Sequence, residues 1–277
     1  NGAVAEEEIE SDWHGLLVLG ARWDSSYLKR MSHTTLYDRA LLHVGGEEAR
    51  PFLQGLVTQD VLGLTEGQPR WSGLLTPQGK ALFDFLLWAD GPQDVLIDCE
   101  AGAADALLRR LSLYRLRRKV VLERDMTRQV HWSATAPDTP LDPRLPELGH
   151  RWLAPAAADD GDASAAFRAY RLSLGVTEGT EELGSDQTLW LEANAGELNG
   201  VDYRKGCYVG QENTARMHYR SKVNRRLVVV PLAASDPKRQ RLALPDLGLA
   251  IDHRRVEDMG GLALPGWLAD ALAEQEA

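Results

Sequence analysis

The sequence predicts a mixed α+β protein ending in a small all-β unit, and three observations carry this. A hairpin pattern, residues 71–75 and 80–88 around the turn TPQG, is followed by a further strand in DVLIDCE, as in an antiparallel sheet. The segment AADALLRRLSLYRLRRKVVLE spaces Leu107, Leu108, Leu111 and Leu113 helically before passing into a strand at 119–122. The tail sets short strands, 242–251 and 261–264, among glycine and proline, the pattern of a small barrel.

Taken in order, residues 1–30 form an appendage ahead of Met31, where MSHTTLYDRALLHVGGEEARPFLQGLV has the character of a natural start; HGLLVLGARW within the appendage reads as a strand. LYDRALLHV is a strand, and GGEEARPFLQGLVTQDV gives a turn and a helix with Glu47 and Glu48 in its first turn, where the dipole favours carboxylates. With the hairpin, the third strand and the Leu107 helix, these make a first α+β domain over 31–135. Residues 136–166, with PDTPLDPRLPELG and PAAADDGDAS, read as a surface excursion at a domain boundary. A helix at 166–174, and a strand followed by a turn or short helix in TLWLEANAGELNG, make a second α+β domain over 136–223. KVNRRLVVVPLA is a strong strand that opens a C-terminal domain over 224–277. No repeat of fixed period is evident.

Composition removes several classes. With 277 residues, 44% of them hydrophobic and 26% charged, the chain is a folded soluble protein rather than a disordered or fibrous one. Asp plus Glu number 41 against 31 Lys plus Arg, a net charge of −10, so neither nucleic acid nor an anionic membrane is an expected partner. Eight tryptophans and the six cations between Arg109 and Lys119 invite a nucleic-acid reading, but a solvated helix face is the commoner explanation. Apolar runs such as 16–19 and 227–232 fall far short of the roughly 20 residues that cross a bilayer, and residues 1–10 are acidic, unlike a secretory signal. The two cysteines, Cys99 and Cys207, form no CxxC, which points to a reducing cytoplasm. GxGxxG and GxxxxGK[ST] fingerprints are absent, and the seven histidines form neither HxH nor HExxH. Two cysteines cannot enclose a [4Fe-4S] cluster, which takes about four thiolates, so a cluster would have to be shared with a partner.

One segment concentrates chemistry: LEANAGELNGVDYRKGCYVGQENTARMHYRSKVNRR, residues 191–226. Gly200, Gly206 and Gly210 bracket Cys207, allowing positive φ or close backbone approach. Arg204 and Lys205 precede the thiol and would favour its thiolate if they faced it. The residues suit a ligand or reactive thiol; the alternative is a buried structural cysteine in a tight turn.

KGCYVGQE, residues 205–212, resembles the signature of the YgfZ-type folate-binding proteins, relatives of the aminomethyltransferase (T-protein) of glycine cleavage. YDRALLHVGGEEARPFLQGLVTQDV, SGLLTPQGKALFDFLLW, LYRLRRKV, RLSLGVTEG and LEANAGELNGVDYRKGCYVGQENTAR occur in family order, so the resemblance covers roughly residues 35–230. It implies a three-domain ring, with two pseudo-symmetric α+β domains and a small C-terminal β-barrel around a central folate site. It also implies a part in the maturation or repair of iron-sulfur proteins, with tetrahydrofolate as ligand.

The resemblance places Glu192 where T-protein relatives hold the pterin, whose neighbouring N–H and NH₂ donors a carboxylate accepts as a fork; otherwise Glu192 is a solvent-facing residue at a strand end. Asn194, Tyr203, Lys205, Gln211 and Arg216 join it as folate-binding candidates. Arg216, Arg220, Lys222, Arg225 and Arg226 suit a polyglutamate tail or an acidic partner, or equally a solvated basic face. The chain also departs from the enzyme. Its paired aspartates read Phe83 and Asp84 here, which weakens proton handling beside the folate and leaves Asp84 as a catalytic candidate or a strand cap. The C-terminal segment looks short of a hairpin near 238–241, which the appendage strand would replace. The implied function is a tetrahydrofolate-binding accessory factor for iron-sulfur cluster assembly, with Cys207 a ligand to a cluster shared with a carrier or client protein. A folate-dependent aminomethyltransferase using Cys207 and Asp84, and a non-catalytic interaction module, are the alternatives.

Overall fold

Alternation along the first strands creates two apolar sheet faces, and the rest of the chain covers them. The structure, a computed structural model, describes residues 34–276 apart from 156, 158, 159 and 221; the appendage, its strand and Met31 lie outside the described residues. β1 (Arg39–Gly45), β2 (Arg70–Leu75), β3 (Ala81–Asp90), β4 (Asp94–Glu100) and β5 (Val121–Asp125) form a five-stranded sheet, β2-β3-β4-β1-β5, antiparallel throughout. On one face Leu42, Val44, Phe85, Leu87, Val95 and Ile97 pack with Phe52 and Leu53 of α1 (Ala49–Gln54) and with Leu107 and Leu111 of α2 (Ala104–Arg115). On the other, Leu41, Leu86, Trp88 and Leu96 enter a larger central core. The period of two turns Asp84 and Asp98 toward that central side as well.

Local details differ from expectation where the chain has a better use for a side chain. α1 begins after Glu48, so neither Glu47 nor Glu48 lies in its first turn; Glu48 instead accepts a hydrogen bond from the Lys119 N–H at 2.7 Å. In α2 the buried stripe is Leu107 and Leu111, one turn apart, while Leu113 is 69% exposed. The cations of this helix and its exit are largely solvated, as expected.

The anticipated surface excursion is corrected most. β6 (Arg128–Ser133) pairs antiparallel with β7 (His150–Pro155), and the turn between them buries Asp142, Arg144 and Leu148. Buried acids and arginines escape a sequence reading tuned to Pro and Asp as loop formers. α3 (Ser164–Ser173) covers this hairpin through Phe167, which packs on Trp132 at 5.1 Å, and α4 (Gly179–Leu183) follows. Of the strand and following turn expected in TLWLEANAGELNG, the strand shrinks to a single bridge between Leu189 and Lys80, and the rest is a run of turns in which Asn194 and Asn199 take φ of 61° and 57°, incompatible with a strand.

α5 (Gln211–Arg220) leads into β8 (Arg225–Pro231), β9 (Gln240–Leu244) and β10 (Leu249–Arg255), an antiparallel sheet ordered β8-β10-β9. Leu227, Val229, Leu249 and Ile251 join the central core, while Val228, Val230 and Ala250 pack with Met259 and Leu268. Among the described residues the expected closed barrel is not found. Residues 261–264 are not a strand, the chain passes through Pro265 into α6 (Gly266–Glu276), and three strands are too few to close. The stretch 238–241, read as lacking a hairpin, runs into β9, which pairs with β10. Among the described residues no helix is long and apolar enough to cross a membrane.

Candidate functional site

The cysteine motif is a loop fastened at both ends. On its N-terminal side, the segment after α1 and residues 199–205 are laced together: Thr58 Oγ1 donates to Gly200 O at 2.6 Å, Gln59 Nε2 to Asn199 O at 2.7 Å, and the Asp202 N–H to Thr58 O at 3.1 Å. The Lys205 ammonium then donates to three carbonyls, Gln54 O at 2.8 Å, Val57 O at 2.5 Å and Gln59 O at 2.9 Å. Burial pulls its pKa down to about 8. On the C-terminal side Gly210, at φ 84°, comes so close to the β2–β3 turn that a Cβ would stand 2.6 Å from Thr76 O, and Asn213 Nδ2 donates to Gln78 O at 2.9 Å.

Between these fastenings Cys207 is exposed and free, which removes the buried-cysteine alternative. The flanking cations are not the thiolate partners the sequence suggested: Lys205 turns its ammonium into the carbonyls, and the Arg204 side chain is 94% exposed, 4.0 Å from Asp202. Cys99, by contrast, is buried on β4, and burial pushes its thiol up to about 12. Next to the loop, Tyr208, Gln211, Arg216 and Tyr219 border an open cleft of about 970 Å³. Arg216 donates to Glu212 at 2.7 Å across one helical turn.

Glu192 lies elsewhere, against the C-terminal sheet. Its backbone carbonyl accepts from Leu227 N–H at 2.8 Å, and its carboxylate stands 3.2 Å from His253 Nε2. His253 shares the inward parity of Leu249 and Ile251 on β10, which brings it here. Arg241 of β9 is within electrostatic reach of Glu192; it donates to Gln187 Oε1 and, at 3.0 Å, to Thr188 Oγ1. One buried atom at this place, Arg241 Nε, has no hydrogen-bond partner, and His253 Nε2 has the Glu192 carboxylate as its neighbour. A carboxylate flanked by an imidazole and a guanidinium with an unused polar atom is a donor and acceptor set that fits the amide edge of a pterin.

Asn194 is beside Glu192 but structurally engaged, donating Nδ2 to Leu227 O at 2.9 Å. Tyr203 stacks on His218 with ring centroids 3.6 Å apart, and burial raises its phenol pKa. It borders a different cleft, of about 500 Å³, with Glu197 and Arg226, which pair at 2.7 Å.

Asp84 belongs to the interior. Its two oxygens accept from Trp71 Nε1 at 3.1 Å and Gly179 N–H at 3.0 Å, and burial and the nearby Glu178 push its pKa up. Around it lies a buried ionic network. Arg39 pairs with Asp98 at 2.7 Å and Glu178 at 3.0 Å, Arg144 with Asp142 at 2.7 Å and Glu178 at 2.5 Å, and Arg151 with Asp98 at 3.1 Å. Burial alone would raise the Glu178 pKa, but the surrounding arginines, Arg39 and Arg144 foremost, hold it well below the usual range. The sequence-predicted residues therefore separate into an exposed thiol loop with Lys205, Gln211 and Arg216, a polar cluster of Glu192 with His253 and Arg241, and an interior Asp84. His253 and Arg241 were missed; strand parity with Leu249 and Ile251 was the available signal for His253. Among the described residues, no group of three or more His, Cys, Asp or Glu is placed to hold a metal ion.

The fold is similar to that of a glycine cleavage aminomethyltransferase. The chain superposes on the crystal structure of aminomethyltransferase T from Bartonella henselae with a TM-score of 0.60 over 83% of this chain and 81% of that one, at 16% identity, a likeness of fold alone. Its homologues in sequence are iron-sulfur cluster assembly factors. It is 31% identical over 233 residues to "Iron-sulfur cluster assembly factor IBA57 homolog, mitochondrial" of Neurospora crassa, and 32% over 239 residues and 33% over 241 to IBA57 of Mus musculus and Homo sapiens. Each alignment takes in 72% of this chain. The chain spans 53%, 66% and 65% of those relatives, between about half and two thirds of their length. No family model matches the chain. The cytoplasmic expectation is overturned, since these relatives are named mitochondrial proteins; unpaired cysteines report a reducing environment and do not say which one.

Proposed function

We propose that this protein is a tetrahydrofolate-binding accessory factor for iron-sulfur cluster assembly, acting on carrier or client proteins through Cys207. The observation that carries the reading is the exposed Cys207 on a loop fastened at both ends. A single thiolate meets the ligand count of a cluster only together with a partner's thiolates, and the similarity to iron-sulfur cluster assembly factors supports that cargo. Within the three-domain ring implied by the family resemblance, Glu192 accepts the pterin N–H and NH₂ donors, with His253 and Arg241 facing its carbonyl side. Gln211 and Arg216 then belong to the partner-facing cleft beside Cys207 rather than to the folate.

Asp84 weighs against the aminomethyltransferase alternative, because both of its oxygens are taken by Trp71 and Gly179 in the interior. The test has two arms. Calorimetric titration with a stable reduced folate is expected to give binding in the parent and none in Glu192→Ala. Reconstitution with an iron-sulfur carrier is expected to yield a shared cluster that Cys207→Ser cannot form. A well-folded parent that binds no folate rejects the ligand, and a Cys207→Ser protein that still holds the shared cluster rejects the thiol.

A further inference from the structure

The most heavily bonded polar side chain near the exposed thiol is one that nothing in the proposed chemistry uses. Lys205 sits two residues before Cys207 and is 8% exposed, yet it has no carboxylate partner. Its three N–H donors are all spent on main-chain carbonyls, those of Gln54, Val57 and Gln59. These carbonyls lie at the end of α1 and in the turn that follows, where helix carbonyls lack intrahelical partners and carry the negative end of the dipole. A lysine ammonium offers three donors and no acceptor, so one side chain ties three points of the first domain to the thiol loop. Residues before it are already laced to the same turn through Asp202, Gly200 and Asn199. After it Gly206 and Cys207 are exposed, and the chain is held again by Tyr208, buried in the central core, by Val209, and by Gly210 against Thr76. A Cβ added at Gly206 would meet no heavy atom within 4 Å, so on the N-terminal side of the thiol the nearest fastening is the Lys205 ammonium, which also lies 4.9 Å from the ring of Tyr208 on the other side.

We propose that Lys205 is a positioning residue that fixes where and in which direction Cys207 is presented to a partner, by binding the loop to the carbonyls of Gln54, Val57 and Gln59. The inference rests on the reading of Cys207 as the working thiol, and its consequence is specific: a loosened loop still exposes the sulfur but no longer aims it. The neighbouring Arg204 gives a way to see this. Its side chain is exposed, so trypsin recognises it, yet cleavage requires the bound backbone to leave the turn.

The test uses the full chain with Lys205→Met, which keeps the aliphatic stem and removes every donor, and Lys205→Gln, which keeps two donors on a shorter stem. A nitroxide attached to Cys207 reports loop motion, buried Cys99 being shielded from the label. The expected result is a mobile spectral component in Lys205→Met and tryptic cutting after Arg204 at least about tenfold faster, since several charge-assisted hydrogen bonds are lost, with a smaller change in Lys205→Gln. Cutting after the exposed Arg117 and Arg118 stays at the parent rate. Unchanged line shape and unchanged cutting after Arg204 would overturn the proposal. So would cutting that rises equally at Arg117 and Arg118 in both variants, which would make Lys205 a support of the whole fold. Neither readout involves a cluster or folate, so a failure of this proposal is distinguishable from a failure of the Cys207 reading on which it rests.

Discussion

His253 Nε2 stands 3.2 Å from the Glu192 carboxylate. The two meet because Glu192 is fixed by the Leu227 amide on β8 while His253 projects inward from the adjacent β10. Arg241 Nε beside them is buried without a partner; such an atom costs about 1–3 kcal/mol, which a ligand acceptor would remove. Glu192→Gln exchanges a carboxylate acceptor for an amide with only one acceptor oxygen, so reduced folate is expected to bind at least about tenfold more weakly. His253→Phe, which keeps the ring and loses its nitrogens, is expected to weaken binding less, because the carboxylate fork remains. Titration of both variants beside the parent checks this, and equal affinity in the parent and Glu192→Gln would remove Glu192 from the ligand site.

The ionic network predicts a sharp contrast between two arginines. Arg144 is fully enclosed and serves Asp142 and Glu178 at once. Removing one partner of a buried pair leaves uncompensated charge, so Arg144→Met is expected to lose about 3–5 kcal/mol of stability. Arg124 pairs with Asp105 at 2.8 Å on the surface, and Arg124→Met is expected to lose no more than about 1 kcal/mol. Denaturant unfolding of the two variants decides; similar losses would mean that the interior charges are accessible to water.

Acid should unfasten the same network. Glu178 and Asp142 are held below their usual range by arginines despite burial. For a carboxylate with a depressed folded pKa, the stability it contributes is complete above the unfolded value, about 4, and is lost as pH falls toward the folded value. Asp84 runs the other way: its raised pKa favours the folded state on the acid side and costs stability as pH rises past the unfolded value. Glu178→Gln is therefore expected to be less stable than the parent at pH 7 and to lose less between about pH 5 and 3. Unfolding free energies measured across that range test it, and parallel curves for parent and variant would show that Glu178 does not carry the acid sensitivity.

Much of the first sheet was legible because its strands alternate and its turn, TPQG, is local chemistry. The thiol loop was legible as a motif of glycines around Cys207. What the sequence hid depends on long-range pairing. Arg39, Arg144 and Arg151 look like solvated cations until β4, β7 and the chain after α3 bring Asp98, Asp142 and Glu178 to them. Asn194 and Asn199 broke an expected strand through positive φ, which residue propensity does not announce. Lys205 looked like a cation for a thiolate or a folate, and only the position of α1 shows that backbone carbonyls claim it.

The two glycines that flank Cys207 should behave oppositely on gaining a methyl group. Gly210 has φ 84°, and a Cβ there would stand 2.6 Å from the backbone oxygen of Thr76 and 3.1 Å from Gly79 Cα. Both neighbours are main chain, so relief requires the motif to separate from the β2–β3 turn. Gly206 has ordinary φ and open space around it. Gly210→Ala is expected to cost about 1–3 kcal/mol from strain at a left-handed position, whereas Gly206→Ala, which narrows the unfolded ensemble without a clash, is expected to be neutral or slightly stabilising. Thermal unfolding separates them. A Gly206→Ala loss as large as that of Gly210→Ala would mean that the segment carrying the thiol is held at Gly206 as well as at Lys205, Tyr208 and Gly210.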